Sequence, residues 1–296
     1  MEKKYKIKLP KGGAEPISTP DDWFNTHFVQ LSIAKRQSGK TCSMSNFLHI
    51  MKGMNKLDRV IIVSPTYYQN AHYFRGLPIN EEEDVIEPDI DSAQIIMDKL
   101  DEEAYDYNEY HEKMDKWNKL NKMIKSNISI EEIDPFLLLE FTDEYGNLNM
   151  EKPTHKYGGR KPVIVAFFDD CQNTPAFSPK SKVSYLTIKH RHIGLTIHGA
   201  IGVSLMFACQ NYTSNSGGIP KTIRGNTTIL CVFKNKNMKE LDLIAEECSG
   251  EVDKQKFYEI FNEATKEDYS FLTIDFNRKK QHHPSMFRQC WNKFLI

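Results

Sequence analysis

Five short segments of this 296-residue chain are apolar at nearly every position: His27–Ala34 (HFVQLSIA), Arg59–Ser64 (RVIIVS), Val163–Phe168 (VIVAFF), Gly202–Cys209 (GVSLMFAC) and Thr227–Phe233 (TTILCVF). Continuous rather than alternating apolar character predicts strands covered on both faces, and so a mostly parallel central sheet with helices on both faces, an α/β fold. Between the strands the period changes. Met44, Phe47, Leu48 and Met51 recur at helical spacing after the first strand, with Gly53 near the predicted end. Beyond Met238, LDLIAEECSG and DKQKFYEIFNEAT read as helices, and YSFLTIDF as a short strand.

Residues 70–162 break this alternation. They are expected to form an insertion in a domain spanning 27–296, behind an N-terminal arm of residues 1–26. Ile95, Ile96, Leu100, Tyr107, Tyr110, Met114, Trp117, Leu120 and Met123 follow one another at three- and four-residue spacing, which predicts one or two amphipathic helices. LLLEFTDEYGNLNM then predicts a strand, a turn around Glu144–Asn147 and a return strand.

Candidate chemistry lies at the strand ends. The first strand runs into AKRQSGKT, which departs from the phosphate-binding pattern G-x-x-x-x-G-K-[ST] only at Ala34. In that pattern a tight strand-to-helix turn aims backbone N–H groups at phosphate oxygens, a lysine reaches the terminal phosphates and a hydroxyl ligates Mg²⁺. Ala34, Lys35, Arg36, Gln37, Ser38, Gly39, Lys40, Thr41 and Cys42 are therefore the candidate nucleotide-binding residues. Alanine adds one methyl group and is tolerated where φ is negative. The third strand ends in Asp169 and Asp170. Asp169, with Thr41, is placed to hold Mg²⁺, and Asp170 to accept a proton from an attacking water. Gln210 ends the next strand, where its amide can touch a γ-phosphate.

The overall charge is nearly balanced, with 39 Lys and Arg against 40 Asp and Glu, but its distribution is not. Asn80 to Ser126 carries fifteen acids against six lysines, whereas Cys171 to Lys239 has no acid and nine Lys or Arg. The second stretch predicts a surface that favours phosphates. The six cysteines are scattered without a C-x-x-C and are expected to be reduced, buried thiols. His282 and His283 adjoin, yet no further ligand stands at metal spacing, so zinc is not expected. No run of eighteen apolar residues exists, and MEKKYKIKLPKGG lacks a signal-peptide core; its five lysines read as a solvated tail and the chain as cytosolic, with no membrane partner.

Together AKRQSGKT, VIVAFFDDCQNT, FACQNY, IPKTIRGN and the late YSFLTIDF and PSMFRQCW resemble the viral genome-packaging ATPases of the FtsK/HerA lineage, the poxvirus-type family of large DNA viruses. The likeness runs from about Phe28 to Phe294, and the insertion is its least matched part. It implies a RecA-like P-loop core, ATP and Mg²⁺ as cofactors, and a homo-oligomeric ring that drives double-stranded DNA into a preformed capsid. It also implies a capsid or portal vertex protein as partner, and the host cytoplasm, virus factory or virion as location. Lys40, Thr41, Asp169, Asp170 and Gln210 carry over by position. The family commonly places an Arg-His pair where this chain has Gly199 and Ala200, while Arg191 and His192 lie eight residues earlier. HIGLT and AIGVS look like one strand lead-in written twice, an insertion that displaces the pair. Arg191 is thus the first candidate, and Arg224 the second, for an arginine reaching a neighbouring subunit's γ-phosphate.

Lys180, Lys182, Lys189 and Lys221 are candidates for sequence-independent contacts to DNA phosphates. The alternatives are a HerA-like translocase or helicase not dedicated to packaging, and a non-enzymatic capsid-associated protein with a vestigial nucleotide fold. NKLD, Asn55–Asp58, matches the guanine-reading N-K-x-D pattern, but it precedes the second strand instead of following a later one, which argues against a GTP switch. No arginine-rich lid pattern supports a nucleotide kinase.

Overall fold

The computed structural model describes residues 13–15, 17–213, 219–235 and 237–296; most of the lysine-rich start lies outside them. Strand β1 (Val29–Ile33) leads into α1 (Lys40–Gly53), and β2 (Arg59–Val63) into α2 (Tyr67–Phe74). A one-turn α3 (Glu81–Asp84), edge strand β3 (Val85–Ile86), long α4 (Ser92–Lys125) and short α5 (Pro135–Leu139) follow. Next come β4 (Ile164–Asp169), α6 (Val183–Lys189), the pair β5 (Leu195–Thr196) and β6 (Gly199–Ala200), then β7 (Ser204–Cys209), α7 (Lys221–Asn226) and β8 (Ile229–Phe233). Helices α8 (Met238–Glu247) and α9 (Lys254–Ala264) precede β9 (Phe271–Asp275), β10 (Phe287–Gln289) and β11 (Lys293–Leu295).

Among the described residues nine strands form one sheet in the order β11-β10-β9-β8-β1-β7-β4-β2-β3. From β8 to β3 all neighbours are parallel, and β9, β10 and β11 add an antiparallel edge. The apolar runs follow from burial on two sides. Leu31, Ile61, Ala166, Phe207 and Val232 pack under α4, α6, α7, α8 and α9. Ile62, Val165, Phe167, Met206 and Cys231 pack under α1, α2 and the buried Trp23 and Phe24. Since α1 leaves β1 towards one face and α7 leaves β7 towards the other, a crevice opens at the carboxyl ends of these adjacent strands.

The acidic segment is one 34-residue helix, α4, not two. Ile96, Met97, Leu100 and Ala104 pack into the sheet core, whereas Leu120 packs with Ile133 and Leu137 in a separate small cluster. Arg59 joins this region to β2 through Asp84 at 2.7 Å and Glu103 at 2.8 Å. The expected strand, turn and return strand at 137–150 does not form. Asp134 caps α5 by accepting a hydrogen bond from the Phe136 N–H at 3.0 Å, with Pro135 in the first turn, so the Leu run is helical. Of the predicted hairpin only an isolated Thr142–Leu148 bridge remains. The doubled lead-in HIGLT and AIGVS is the β5–β6 hairpin, with Leu195 opposite Ala200 and Thr196 opposite Gly199. All six cysteines are free, but only Cys171, Cys209, Cys231 and Cys248 are buried; Cys290 is partly exposed and Cys42 exposed, because Cys42 lies at the open start of α1.

Strands β10 and β11 have three residues each, too few for any period to announce them. Their anchor is Arg288, fully buried with its guanidinium 4.2 Å from the Phe24 ring and 4.5 Å from that of Phe294. It donates to the carbonyls of Asp22 at 2.8 Å and Trp291 at 3.1 Å, and faces the buried Asp275 carboxylate at 3.5 Å. Arg288→Met should destabilise the fold by about 3 kcal/mol or more, because it strands a buried carboxylate. A urea midpoint lowered in Arg288→Met and partly restored by adding Asp275→Asn checks this.

Candidate functional site

The turn between β1 and α1 is shaped by two left-handed residues, Gln37 at φ 62° and Gly39 at φ 81°. Glycine is needed at 39 on two counts. Its φ is positive, and a Cβ there would come within 3.1 Å of the Tyr269 ring. The Ser38 hydroxyl donates to the Lys35 carbonyl at 2.6 Å and closes the turn. Among the described residues no side chain caps the start of α1, so its first N–H groups and the positive end of the helix dipole face the crevice. Ala34 satisfies the condition set by its sequence: its φ is not positive, it is buried, and its N–H donates to the Cys209 carbonyl at 3.0 Å. It supports the turn from below, and the cavity wall begins at Lys35.

That cavity, of about 330 Å³, is lined by every residue from Lys35 to Cys42, and by Asp169, Asp170 and Gln210. Parallel register brings them together. β7 lies between β1 and β4, with Ile33 opposite Cys209 and Asp169 opposite Ala208, so three strands end at one level. The Thr41 hydroxyl lies 3.1 and 3.2 Å from the two oxygens of Asp169. The Lys40 ammonium lies 3.4 Å from Asp170 Oδ1, and the Gln210 amide donates to the same oxygen at 3.1 Å. Asp170 adopts φ 56°, a conformation that a short polar side chain tolerates. Burial pushes the Asp169 carboxyl up to about 6, while the Lys40 charge and the Thr41 hydroxyl pull it down and Asp170 adds repulsion. An oxygen-only pair, a buried carboxylate beside a hydroxyl, suits a hard cation such as Mg²⁺.

Other wall residues carried no signal in the sequence. Thr66, at the start of α2, and Asn70 and Tyr73, within it, reach the cavity after β2. They follow a strand end on the same edge of the sheet, a placement that only the strand order discloses. Gln172 was likewise missed. Its side-chain carbonyl accepts from the backbone N–H groups of Gln210 and Asn211, and its amide donates to the Asn211 carbonyl at 3.1 Å, so it fixes the position of Gln210.

Neither candidate arginine lies at the cavity. Arg191 is exposed and precedes β7, at the opposite end of the sheet, about 20 Å from the phosphate turn at 3.3 Å per strand residue. Arg224 stacks on the Tyr212 ring at 5.2 Å. Lys180, Lys182, Lys189 and Lys221 are exposed on or beside α6 and α7, which pack against each other.

The sheet order and the phosphate turn after β1 define a RecA-like P-loop fold. No family model and no curated protein matches the chain. Solved structures do. The genome-packaging NTPase B204 of Sulfolobus turreted icosahedral virus 2 with AMPPCP is 12% identical, with TM-score 0.47, covering 92% of this chain and 100% of its own. The DNA-packaging ATPase B204 of Sulfolobus turreted icosahedral virus is 13% identical, with TM-score 0.44 and the same coverage. The pCW3 conjugation coupling protein TcpA with ATPγS is 12% identical, with TM-score 0.45, covering 96% of this chain and 71% of that one.

Asp169 makes stability depend on pH. Its folded pKa of about 6 exceeds the unfolded value near 4, so the folded state holds the proton more tightly. This contribution is complete below about pH 4, is lost as pH rises from about 4 to 6, and stays lost above. Asp169→Asn should therefore raise the stability at pH 7.5 by on the order of 1–3 kcal/mol and flatten the slope between pH 4 and 6. Thermal melts of both proteins across that range test this, and an unchanged slope contradicts it.

Proposed function

We propose that this chain is an ATP-hydrolysing motor for double-stranded DNA. The observation that carries the reading is the convergence of Lys40, Thr41, Asp169, Asp170 and Gln210 on one cavity at an uncapped helix start. The amides of the turn and the Lys40 ammonium bind the triphosphate of ATP. Thr41 and Asp169 hold Mg²⁺, which when bound neutralises phosphate charge. Phosphate oxygens entering the turn compete with Asp170 for the Lys40 ammonium. Asp170, released from that contact, accepts the proton of the attacking water. Gln210 already touches Asp170, so the same amide that senses the base also stands near the leaving phosphate.

The segment after Gln210 is tied to α8, which supports a route from chemistry to movement. The N–H groups of Tyr212 and Thr213 donate to Glu240 at 2.9 and 3.1 Å. A change at Gln210 therefore pulls on a helix as well as on a loop.

The rest of the reading extends the sequence resemblance. Arg191 stands too far from its own cavity to act there, so it acts on the cavity of a neighbouring copy in a homo-oligomeric ring. Among the described residues Lys180, Lys182, Lys189, Lys221 and Arg191 form no ion pair, which suits contacts to DNA phosphates without base reading. The DNA is the viral genome and its destination a preformed capsid, met at a capsid or portal vertex protein. The setting is the host cytoplasm, a virus factory or the virion.

Lys40→Ala should abolish Mg²⁺-dependent ATP hydrolysis. Asp170→Asn should lower kcat by about 10²–10⁴-fold while the ATP Kd stays within about threefold. Wild-type turnover should rise with duplex DNA of any sequence and lose that stimulation as salt increases. Steady-state phosphate release and nucleotide titration measure these effects, and full activity in Lys40→Ala would support a vestigial nucleotide fold instead.

A further inference from the structure

Tyr269 has a backbone conformation that its side chain disfavours. It sits at φ 62° in a tight turn where the Ser270 N–H donates to the Glu267 carbonyl at 3.3 Å and the Ser270 hydroxyl donates to it at 2.7 Å. The third position of such a turn suits glycine or asparagine, and a bulky residue there is strained. The strain secures no burial. Tyr269 is 70% exposed. What the turn does achieve is placement: the near edge of the ring stands beside Gly39 of the phosphate turn, where a Cβ on residue 39 would meet it at 3.1 Å.

The strand order says which end of a nucleotide would meet this ring. Asp170 and Gln210 stand at the ends of β4 and β7, on one side of β1; β8 and β9 lie on the other. β9 starts beside the end of β8, where Phe271 pairs with Phe233, so Tyr269 projects at the level of the phosphate turn. The acid strand β4 and the strand β9 that follows the ring are each two strands away from β1, on opposite sides of it. A triphosphate with its terminal phosphate at Asp170 and Gln210 therefore directs its nucleoside towards β9.

Resting on the proposed triphosphate site, we propose that Tyr269 is the platform on which the nucleobase stacks. An exposed ring offers its face to any base, through stacking that is tolerant of base identity. The ring supplies affinity for the nucleoside end, and the turn supplies affinity for the phosphates.

The test uses the full chain and two probes, ATP and inorganic triphosphate, each with Mg²⁺. In Tyr269→Gly, which relieves the backbone strain, the thermal midpoint should hold or rise, while the ATP Kd weakens about tenfold and the triphosphate Kd does not change. GTP should lose as much as ATP, and Tyr269→Phe should bind both like wild type. Tyr269→Asn, a second residue that tolerates this conformation, should repeat the glycine result if that variant fails to fold. Unchanged ATP affinity in Tyr269→Gly overturns the platform. Equal weakening of ATP and triphosphate also overturns it, since the ring would then merely support the turn. If wild-type protein binds neither probe, the triphosphate reading itself fails, and the platform with it.

Discussion

The flush ends of β1, β7 and β4 are the constraint from which the site follows. Ile33 pairs with Cys209 and Asp169 with Ala208, so the phosphate turn, the paired acids and Gln210 leave the sheet within one residue of a common level. A slip of one residue moves a strand end by about 3.3 Å and turns each of its side chains to the other face. Such a slip would break contacts of 3.1–3.4 Å between Thr41 and Asp169, Lys40 and Asp170, and Gln210 and Asp170. It would also expose Phe168 or Phe207 to the wrong face of the sheet. Burial of the apolar runs thus fixes the register, and the register fixes the site.

Around this edge the fold accepts local costs. Asp169 is a carboxylate buried deeply enough to be pushed towards neutrality. Gln37 and Asp170 take positive φ on the wall of one cavity, and Tyr269 takes it beside Gly39. Elsewhere Asn55 and Asn127 do the same just past the ends of α1 and α4, where asparagine is at home. Their conformation needs no further explanation, whereas a glutamine and a tyrosine beside an anion-sized cavity do.

The opposite edge of the sheet carries different features. The β5–β6 hairpin inserts directly after the exposed Arg191 and His192 and is held to α4 by the contact between Tyr107 and His198 at 3.0 Å. The cation-rich stretch from Cys171 to Lys239 runs through this hairpin, α6 and α7, on the face of the sheet away from α1. The long acidic helix packs on that same face, so opposite charges that are far apart in sequence are brought to one side of the molecule.

The sequence alone determined the parallel core, because strands buried on both faces must be apolar throughout, and it located the phosphate turn, the two acids and the terminal glutamine, because those chemistries attach to the ends of such strands. It also carried the helix α1 and most of α4 through their period. The α5 helix was hidden by its apolar composition, and β10 and β11 by their length. Only the tertiary structure decided that Gln172 holds Gln210, that Thr66, Asn70 and Tyr73 share the cavity, and that Tyr269 stands beside Gly39. Those residues come from helices and turns up to 230 positions from the phosphate turn, and strand order, which brings them beside it, is set by how helices cover the two faces and not by any local pattern.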